Sequence, residues 1–329
     1  MSKSAAPARL GAPDLGVGVG LRVPHYAKIL RDLPAVDFFE VISENFMDRG
    51  GKPQSNLGRV LETYRVVQHG VSLGIAGPDE PDREYLTALK KLVQKVGAPW
   101  VSDHFCWCGA GGAHLHDLLP IPYTRQAIAR VVERARRIQD FLEVRFALEN
   151  TSSYLTYRSS ELSEWEFISE IAERADIGLL FDVNNVYVSA YNHGFDPYEF
   201  VRGVPHERIV QIHLAGHTNF GKYIIDTHSG HVVDPVWDLY RHTIELAGPV
   251  STLIEWDDEI PAFEVVLAEA DKARAVRDQA LALRLEPGRK AGYAPSREAS
   301  HPVAPATAEG ASPGWRQGGP RESAGSELT

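Results

Sequence analysis

Short apolar runs alternate with longer amphipathic segments along most of this 329-residue chain. Eight of these runs have the length and the apolar content that are typical of buried strands. They cover residues 15–21, 36–44, 65–75, 100–104, 143–150, 177–183, 208–213 and 250–256. Between them, apolar residues recur three or four positions apart, which predicts helices. The helical segments cover residues 85–96, 124–141, 162–175, 237–246 and 263–283, with a shorter one at 56–66.

Eight strands that alternate with helices predict an α/β fold of the (β/α)8 TIM-barrel class. A doubly wound open sheet is the alternative, and it would normally carry a G-x-G-x-x-G sequence between a strand and a helix. The run GVGVG that begins at Gly16 does not have that spacing. We therefore predict a single barrel domain over residues 15–284, a flexible N-terminal arm over residues 1–14 and a disordered tail over residues 285–329, which is rich in Pro, Gly, Ala and Ser.

The charge and the cysteine content narrow the classes of partner. The formal net charge of −10 makes the chain a poor electrostatic match for nucleic acid or for anionic membranes. The N-terminus lacks an apolar signal segment, and no apolar run has the ~18 residues that a membrane span requires. Cys106 and Cys108 are one residue apart and predict no disulfide framework. We expect a cytoplasmic protein that binds neither nucleic acid nor membrane.

The predicted strands end in residues that bind metals. In a barrel of this class, the active site lies at the carboxyl ends of the strands and in the loops that follow them. Those ends carry histidine, carboxylate and amide side chains, where random polar positions would also include many lysines, arginines and serines. They are Glu44, Asn45, His69, Asp103, His104, Glu149, Asn150, Asp182, Asn184, Asn185, His213, Glu255 and Asp257, and the loop after the seventh strand adds His217, Asp226 and His228.

The number of these side chains predicts more than one metal ion. A six-coordinate first-row ion uses about six donors, and some of those donors are water or substrate. Without metal, so many carboxylates at one mouth would repel one another and raise each other's pKa values. Two or three ions would remove that repulsion, with a carboxylate such as Glu149 bridging two of them. The mixture of imidazole and carboxylate favours iron, manganese or zinc over calcium or magnesium.

Eight short motifs occur together and in order along the chain. They are SENF at 43–46, HG at 69–70, SDH at 102–104, DLLPIPYT at 117–124, LEN at 148–150, DVNN at 182–185, HLAGH at 213–217 and DTH at 226–228. In this combination the chain resembles the multinuclear non-heme iron-dependent oxidative enzymes over residues 15–282. That resemblance implies a TIM barrel with two or three irons in mixed Fe(II) and Fe(III) states. It also implies that dioxygen is used to oxidise cysteine residues of a ribosomally synthesised precursor peptide.

The resemblance also assigns ligands to each iron. It implies one iron at His69, His104 and Glu149, a second at Asp182, His213 and Glu255 with Glu149 shared, and a third near Asn185, His217, Asp226 and His228. We further predict that Asp103, Asn150 or His116 handles protons. Members of the family often act with a separate protein that binds the leader segment of the precursor. No leader-binding domain is visible in this sequence, so we expect such a partner.

Two other functions are compatible with the same residues. One is a divalent-metal TIM-barrel enzyme of the isomerase or endonuclease type, which would hold zinc, manganese or magnesium and would consume no oxygen. The other is a metal-binding protein without catalysis. The long loop at 105–122, with Gly109, Gly111 and Gly112, favours an enzyme because such loops often serve as lids. We interpret Cys106 and Cys108 within it as ordinary thiols.

Overall fold

The structure is a computed structural model that describes residues 10–47 and 50–284, apart from the side chain of His116. The predicted disordered tail and most of the predicted N-terminal arm lie outside the described residues. Residues 10–14 of that arm run beside the barrel, where the hydroxyl of Ser251 donates a hydrogen bond to the carbonyl of Pro13 at 3.4 Å. Within the described ranges, no helix combines the length and the apolar character that crossing a bilayer requires.

Eight parallel strands close into a barrel, which confirms the predicted fold class. They are β1 (Val17–Gly20), β2 (Phe39–Ile42), β3 (Val66–His69), β4 (Trp100–His104), β5 (Arg145–Glu149), β6 (Gly178–Asp182), β7 (Ile209–Leu214) and β8 (Ser251–Ile254). Each strand pairs with the next one along the chain, and β8 closes the barrel against β1. All eight predicted strands are present, although most are shorter than the apolar runs that predicted them.

Nine helices surround the barrel in the described part of the chain. They are α1 (Tyr26–Asp32), α2 (Lys52–Leu61), α3 (Arg83–Val96), α4 (Arg125–Leu142), α5 (Glu164–Ala175), α6 (Val183–His193), α7 (Pro197–Gly203), α8 (Asp234–Ala247) and α9 (Phe263–Arg284). The pattern of apolar residues predicted α3, α4, α5, α8 and α9. It placed α2 several residues too late, because apolar residues of β3 continue the helical spacing. It did not predict α1, α6 or α7.

The segment predicted as a long loop after β4 contains a hairpin of two antiparallel strands, Trp107–Ala110 and Ala113–Leu119. A second, much shorter hairpin pairs Thr218–Asn219 with Ile224–Ile225 and lies between β7 and α8. Gly111 and Gly112 both have positive φ angles, which the tight turn of the first hairpin requires. The glycines that suggested a flexible loop therefore form a hairpin turn.

Alternation along the strands places a layer of apolar side chains below the histidine and carboxylate side chains. Side chains two positions apart on a strand point to the same side. Val67, Ala147 and Leu253 belong to one buried apolar cluster that also contains Trp100. Two positions further along their strands or just past the strand end come His69, Glu149 and Glu255, which are buried as well. The apolar layer therefore forms a floor, and the ionisable side chains lie above it at the mouth.

Candidate metal centre

Three side chains from β3, β4 and β5 converge at the mouth, and we call them the inner group: His69, His104 and Glu149. The Nε2 atom of His69 lies 3.0 Å from Oε2 of Glu149, and Nε2 of His104 lies 3.3 Å from the same oxygen. The two Nε2 atoms are 3.2 Å apart. Two ring nitrogens and a carboxylate oxygen that face one another at this spacing match the donor set of a first-row metal ion.

Hydrogen bonds hold both rings of the inner group from behind. Nδ1 of His69 lies 2.9 Å from the hydroxyl oxygen of Ser102, and Nδ1 of His104 lies 3.1 Å from the carbonyl oxygen of Gly70. If each Nδ1–H donates to that oxygen, the lone pair of each ring is on Nε2, which faces the group. Such outer contacts fix both the tautomer and the orientation of a metal-binding histidine.

Glu149 connects the inner group to a second one, the central group, which consists of Glu149, Asp182, His213 and Glu255. Its Oε2 faces the inner histidines, whereas its Oε1 lies 3.4 Å from Nδ1 of His213. The same Nδ1 is 2.9 Å from Oε2 of Glu255. One donor atom from each of the four side chains lies within 4.8 Å of the others. A carboxylate that presents one oxygen to each of two groups has the geometry of a bridging ligand.

Glu40, on β2, is a buried member of this site that the sequence analysis did not predict. Its carboxylate lies 3.1 Å from Nε2 of His213, on the side of the ring opposite the central group. The amide of Gln211 donates to Glu40 at 2.6 Å, and the indole of Trp100 donates to Gln211 at 2.8 Å. Glu40 therefore orients His213 so that Nδ1 faces the central group. A glutamate inside the apolar run of β2 was the signal, because a buried carboxylate requires a partner.

The loop after β7 contributes the outer group, which consists of His228, Glu255 and Asp257. Nδ1 of His228 lies 3.2 Å from Oε2 of Glu255 and 3.5 Å from Oδ2 of Asp257. Its Nε2 lies 2.9 Å from Oδ1 of Asp226. His228 has a φ of 47°, a strained conformation for a residue other than glycine. Arg22 also donates to Glu255 at 3.3 Å and forms an ion pair with Asp257.

Two residues predicted as ligands of a third iron contact this region less directly. Nδ1 of His217 lies 2.8 Å from Oδ1 of Asn184, and the amide nitrogen of Asn184 donates to Asp226 at 2.8 Å. The side chain of Asn185 donates to the carbonyl of Asn150 at 3.1 Å, and its own Oδ1 is buried without a hydrogen bond. Asp226 and His228 therefore lie together, while His217 is linked to them through Asn184.

Close packing in HLAGH explains how the loop after β7 returns to the mouth. A Cβ atom on Gly216 would lie 2.2 Å from the carbonyl oxygen of Ser229 and 2.5 Å from that of Gly230. These distances are shorter than real Cβ contacts, so only glycine allows the two stretches to lie side by side. The residues that flank this crossing are His217 and His228, both predicted as ligands.

Burial and charge shift the pKa values of the carboxylates in opposite directions. Burial alone would raise the pKa of Glu149, but the charges of His213, His104 and His69 hold that pKa below its usual range. For Asp182, burial raises the pKa well above its usual value, and the neighbouring Glu149 carboxylate raises it further. Histidines thus dominate the surroundings of Glu149, whereas burial dominates at Asp182, where the neighbouring carboxylates and histidines act in opposite directions. A bound cation would stabilise both in the ionised form.

The histidines respond to the same charges. Burial would lower the pKa of His69, but the charge of Glu149 raises it to about 9. Burial also opposes the shifts of His213 and His228, whose pKa values the surrounding carboxylates raise well above the usual value. Without metal, protons on these rings balance the carboxylates. A metal ion would displace those protons, since imidazole binds metal in its neutral form.

The donor atoms themselves test whether metal ions fit this site. Among the side chains described so far in this site, five buried polar atoms lack a well-aligned hydrogen bond: Oε2 of Glu149, Oδ2 of Asp182, Oδ1 of Asn185, Nδ1 of His213 and Nε2 of His228. Leaving such atoms unpaired is costly, and native proteins rarely do so without a reason. Coordination would satisfy them, and a set of imidazole nitrogens and carboxylate oxygens suits a first-row transition metal. The residues therefore fit metal ions.

The three residues predicted to handle protons occupy different positions. The carboxylate of Asp103 accepts hydrogen bonds from the backbone of His104 at 2.7 Å and of Leu73 at 3.3 Å. The amide of Asn150 donates to the carbonyl of Asp182 and accepts from its N–H, at 2.9 and 3.0 Å. Both side chains thus hold backbone near the mouth. The side chain of His116 lies outside what the structure describes, so its role stays a prediction.

Both cysteines are buried beside the site. Burial raises the pKa of the Cys106 thiol well above its usual value, and the Asp103 carboxylate raises it further. The pKa of Cys108 is raised for the same two reasons. Thiols with raised pKa values are mostly protonated at neutral pH and are therefore poor nucleophiles and poor metal ligands. This supports the interpretation of both residues as ordinary thiols.

Comparisons with known proteins show which sequences this chain resembles. Residues 16–278 match the family described as RiPP precursor modification enzyme MbnB/TglH/ChrH, where RiPP denotes a ribosomally synthesised and post-translationally modified peptide. A UPF0276 protein of Anaeromyxobacter sp. (strain Fw109-5) is 50% identical over 82% of this chain and 95% of its own length. A UPF0276 protein of Caulobacter vibrioides (strain NA1000 / CB15N) is 49% identical over 80% of this chain and 94% of its own length.

Solved structures share the fold at low sequence identity. Endonuclease IV from Thermus thermophilus superposes with a TM-score of 0.53 and 15% identity, and the match covers 80% of this chain and 99% of that one. L-ribulose 3-epimerase superposes with a TM-score of 0.50 and 14% identity over 84% of this chain and 93% of that one. Likeness at this level establishes the TIM-barrel architecture and does not identify the reaction.

Proposed function

This chain belongs to the MbnB/TglH/ChrH family of RiPP precursor modification enzymes, and we propose that it is a multinuclear iron-dependent oxidase. Its substrate would be a cysteine-containing, ribosomally synthesised precursor peptide, and its co-substrate would be dioxygen. The observation that carries the proposal is the position of Glu149, whose two oxygens face two separate clusters of histidine and carboxylate groups. A single-ion enzyme has no need of such a bridge, whereas a multinuclear centre does.

The three groups would each hold one ion. His69, His104 and Glu149 would hold the first. Asp182, His213 and Glu255 would hold the second, with Glu149 shared. Asp226 and His228 would hold the third, with Asn185 and His217 as further ligands, and the structure adds Asp257 to that neighbourhood. Burial lowers the pKa of His217, which favours the neutral imidazole that a metal requires.

The surrounding residues would prepare the mouth for an oxidation. Iron bound there would supply a site for the cysteine thiolate and would exchange single electrons with dioxygen. The apolar floor under the inner and central groups keeps water away from the reacting atoms. Glu40 holds the ring of His213, and Ser102 holds the ring of His69, so both rings are oriented before substrate arrives. Asp103 and Asn150 would keep the adjoining loops in place.

Metal analysis followed by an oxygen assay tests this function. The protein is purified without added metal, and its bound elements are measured. Iron-loaded protein is then mixed with cysteine-containing peptides, and oxygen uptake is recorded against the same peptides with serine in place of cysteine. We expect iron at more than one equivalent and uptake that depends on cysteine. Zinc, manganese or magnesium without uptake would indicate an isomerase-like or endonuclease-like enzyme, and iron without uptake would indicate storage.

A separate leader-binding protein belongs to the same proposal. The described part of the chain folds as a barrel with two small hairpins, and it shows no additional domain for a leader segment. We therefore expect a second protein to deliver the precursor in the cytoplasm. Copurification of the two proteins from the native host, with the complex lost when the leader segment of the precursor is deleted, would be the expected result.

A further inference from the structure

Exposed apolar side chains are concentrated on one side of the mouth. Eight large hydrophobic side chains are exposed in the described part of the chain. Four of them lie on the loop after β5, on α6 and on the second hairpin, which hydrogen bonds hold together, and we call these four the aromatic rim: Tyr154, Tyr191, Phe220 and Tyr223. All four are aromatic. A concentration of this kind on an otherwise polar surface marks a binding site.

The rim is held in an ordered arrangement. The hydroxyl of Tyr191 donates to the carbonyl of Gly221 at 2.6 Å, which fixes the tip of the second hairpin against α6. Asn192 donates to the carbonyl of Ile224 and accepts from its N–H, each at 2.9 Å. The rings of Phe220 and Tyr223 stack with their centroids 5.3 Å apart. These contacts keep two stacked rings in solvent, 58% and 49% exposed, although burying them would be more favourable.

The rim is continuous with the outer group. The hydroxyl of Tyr154 accepts a hydrogen bond from the backbone N–H of Asp226 at 2.9 Å. Asp226 in turn contacts His228, and it follows Tyr223 by only three residues. Three residues of chain span at most about 11 Å. A molecule that places one group at His228 therefore has the rim within reach of its adjoining part.

We propose that the aromatic rim binds the segment of the precursor peptide next to the modified cysteine, through an apolar side chain within about four residues of that cysteine. This inference rests on the proposed function and names how the same site selects its substrate. Rigid aromatic side chains bind peptides at a low cost in conformational entropy, and they tolerate variable sequence as long as an apolar group is present. The small extent of the rim, a handful of side chains beside the metal groups, suits a short peptide segment.

Peptide selection on the intact protein tests this proposal even while the precursor is unidentified. Iron-loaded full-length protein is held in the absence of dioxygen and is used to select from a display library of random peptides, each with one central cysteine. We expect enrichment of peptides with an aromatic or aliphatic residue within about four positions of the cysteine. The same selection is run on the double variant Phe220→Ser, Tyr223→Ser and on the control Leu33→Ser, whose side chain is also exposed but lies on the loop after α1.

Affinities of the enriched peptides then decide the outcome. The double variant should raise the Kd for the best peptide about tenfold or more while its iron content and Tm stay at the wild-type values, and Leu33→Ser should change neither Kd nor selection. Equal Kd in the double variant, or equal loss in the control, would overturn the proposal. So would a double variant that keeps its peptide affinity but no longer binds a leader-binding protein. Peptide binding that depends on the rim, without oxygen uptake, would refute the proposed oxidase and still support the rim as a peptide-binding site.

Discussion

The inner and outer groups lie in one mouth but are built in different ways. His69, His104 and Glu149 come from the ends of neighbouring strands, and both inner rings have a hydrogen bond behind them. His228 comes from a loop, has a strained φ of 47° and is 15% exposed. A site fixed by strands is rigid, whereas a loop-borne site can adapt to a ligand. From this difference we expect the inner group to hold its metal ion most tightly and the outer group to hold its ion more weakly, on the side where substrate enters.

Removing the shared carboxylate should have the largest effect, because Glu149 belongs to two groups at once. We expect Glu149→Ala to lose iron from both the inner and the central group and to lose oxygen uptake entirely. Bound iron per chain and oxygen uptake are the two measurements. The matched control is Glu207→Ala, which removes an exposed glutamate from the turn before β7, at the end of that strand opposite to His213. Iron content equal to that of the control would show that Glu149 is not a bridging ligand.

Single histidine variants separate the two groups directly. We expect His69→Ala to lose iron, because its ring nitrogen is one of three donors in a rigid site. His228→Ala should lose less iron than His69→Ala, because the outer group holds its ion more weakly, but it should lose turnover because that group faces the substrate. Elemental analysis and oxygen uptake are compared for both variants, with circular dichroism as the control for folding. If His228→Ala loses as much iron as His69→Ala, the contrast between a retaining group and a substrate-facing group is wrong.

The convergence of the candidate ligands on the strands was predictable from the sequence, and the reason is geometric. His69, His104, Glu149 and Asp182 each stand at the end of a strand, where the barrel architecture requires functional side chains to be. Side chains two positions apart on a strand point to the same side, so an apolar residue two or four positions earlier shows that each of these side chains points into the barrel. The predicted strand order and the predicted site therefore follow from the same pattern.

Other parts of the site were beyond such reasoning. Helix α6 was not predicted because it is buried on several sides, so its sequence VNNVYVSAYNH has no single apolar stripe. Asp257 was among the predicted strand-end residues, but its position beside His228 depends on the path of two loops, which no local pattern encodes. Glu40 is different, because a glutamate within the strand FEVI could have been identified as a buried carboxylate in need of a partner.

Glu40 also offers a smaller test of how the central group is held. Glu40→Gln should weaken iron binding about 10- to 100-fold, because the neutral amide orients and polarises His213 less strongly than the carboxylate. Glu40→Asp should restore part of the affinity. The matched control is Glu269→Gln, another buried glutamate paired with a histidine, 2.8 Å from His231. Iron affinity is measured by chelator competition, and Tm is recorded in parallel.

An effect on Tm without an effect on iron affinity would assign Glu40 to folding alone. The control makes that outcome informative, since Glu269→Gln changes another buried glutamate whose histidine partner, His231, is exposed and belongs to none of the three groups. Equal weakening of iron binding by both variants would indicate a general loosening of the barrel. Only a selective effect of Glu40→Gln, with partial rescue by Glu40→Asp, supports the orienting role.

Glu164 lies away from the mouth and can be compared with Glu149, because it is partly buried but is paired with a tyrosine rather than with histidines. Burial raises its pKa to about 7, and a hydrogen bond from Tyr123 opposes that shift only in part. In the unfolded chain the same group ionises near 4.5. Between these two values the folded state binds more protons, so its stability falls as pH rises. Glu164→Gln should remove that loss of stability. At pH 8 its free energy of unfolding should exceed that of the wild type by about 1–2 kcal/mol, and at pH 4 the two should differ little.

The measurement is the free energy of unfolding by denaturant for both proteins at each pH, with Glu161→Gln as the exposed control. At each pH, the free energy of unfolding of the wild type is subtracted from that of the variant. This subtraction cancels any effect of metal content that the two proteins share. A gain that is the same at pH 4 and at pH 8 would show that Glu164 ionises normally. A gain confined to high pH would confirm that burial without a histidine raises a pKa, whereas the histidines around Glu149 lower its pKa.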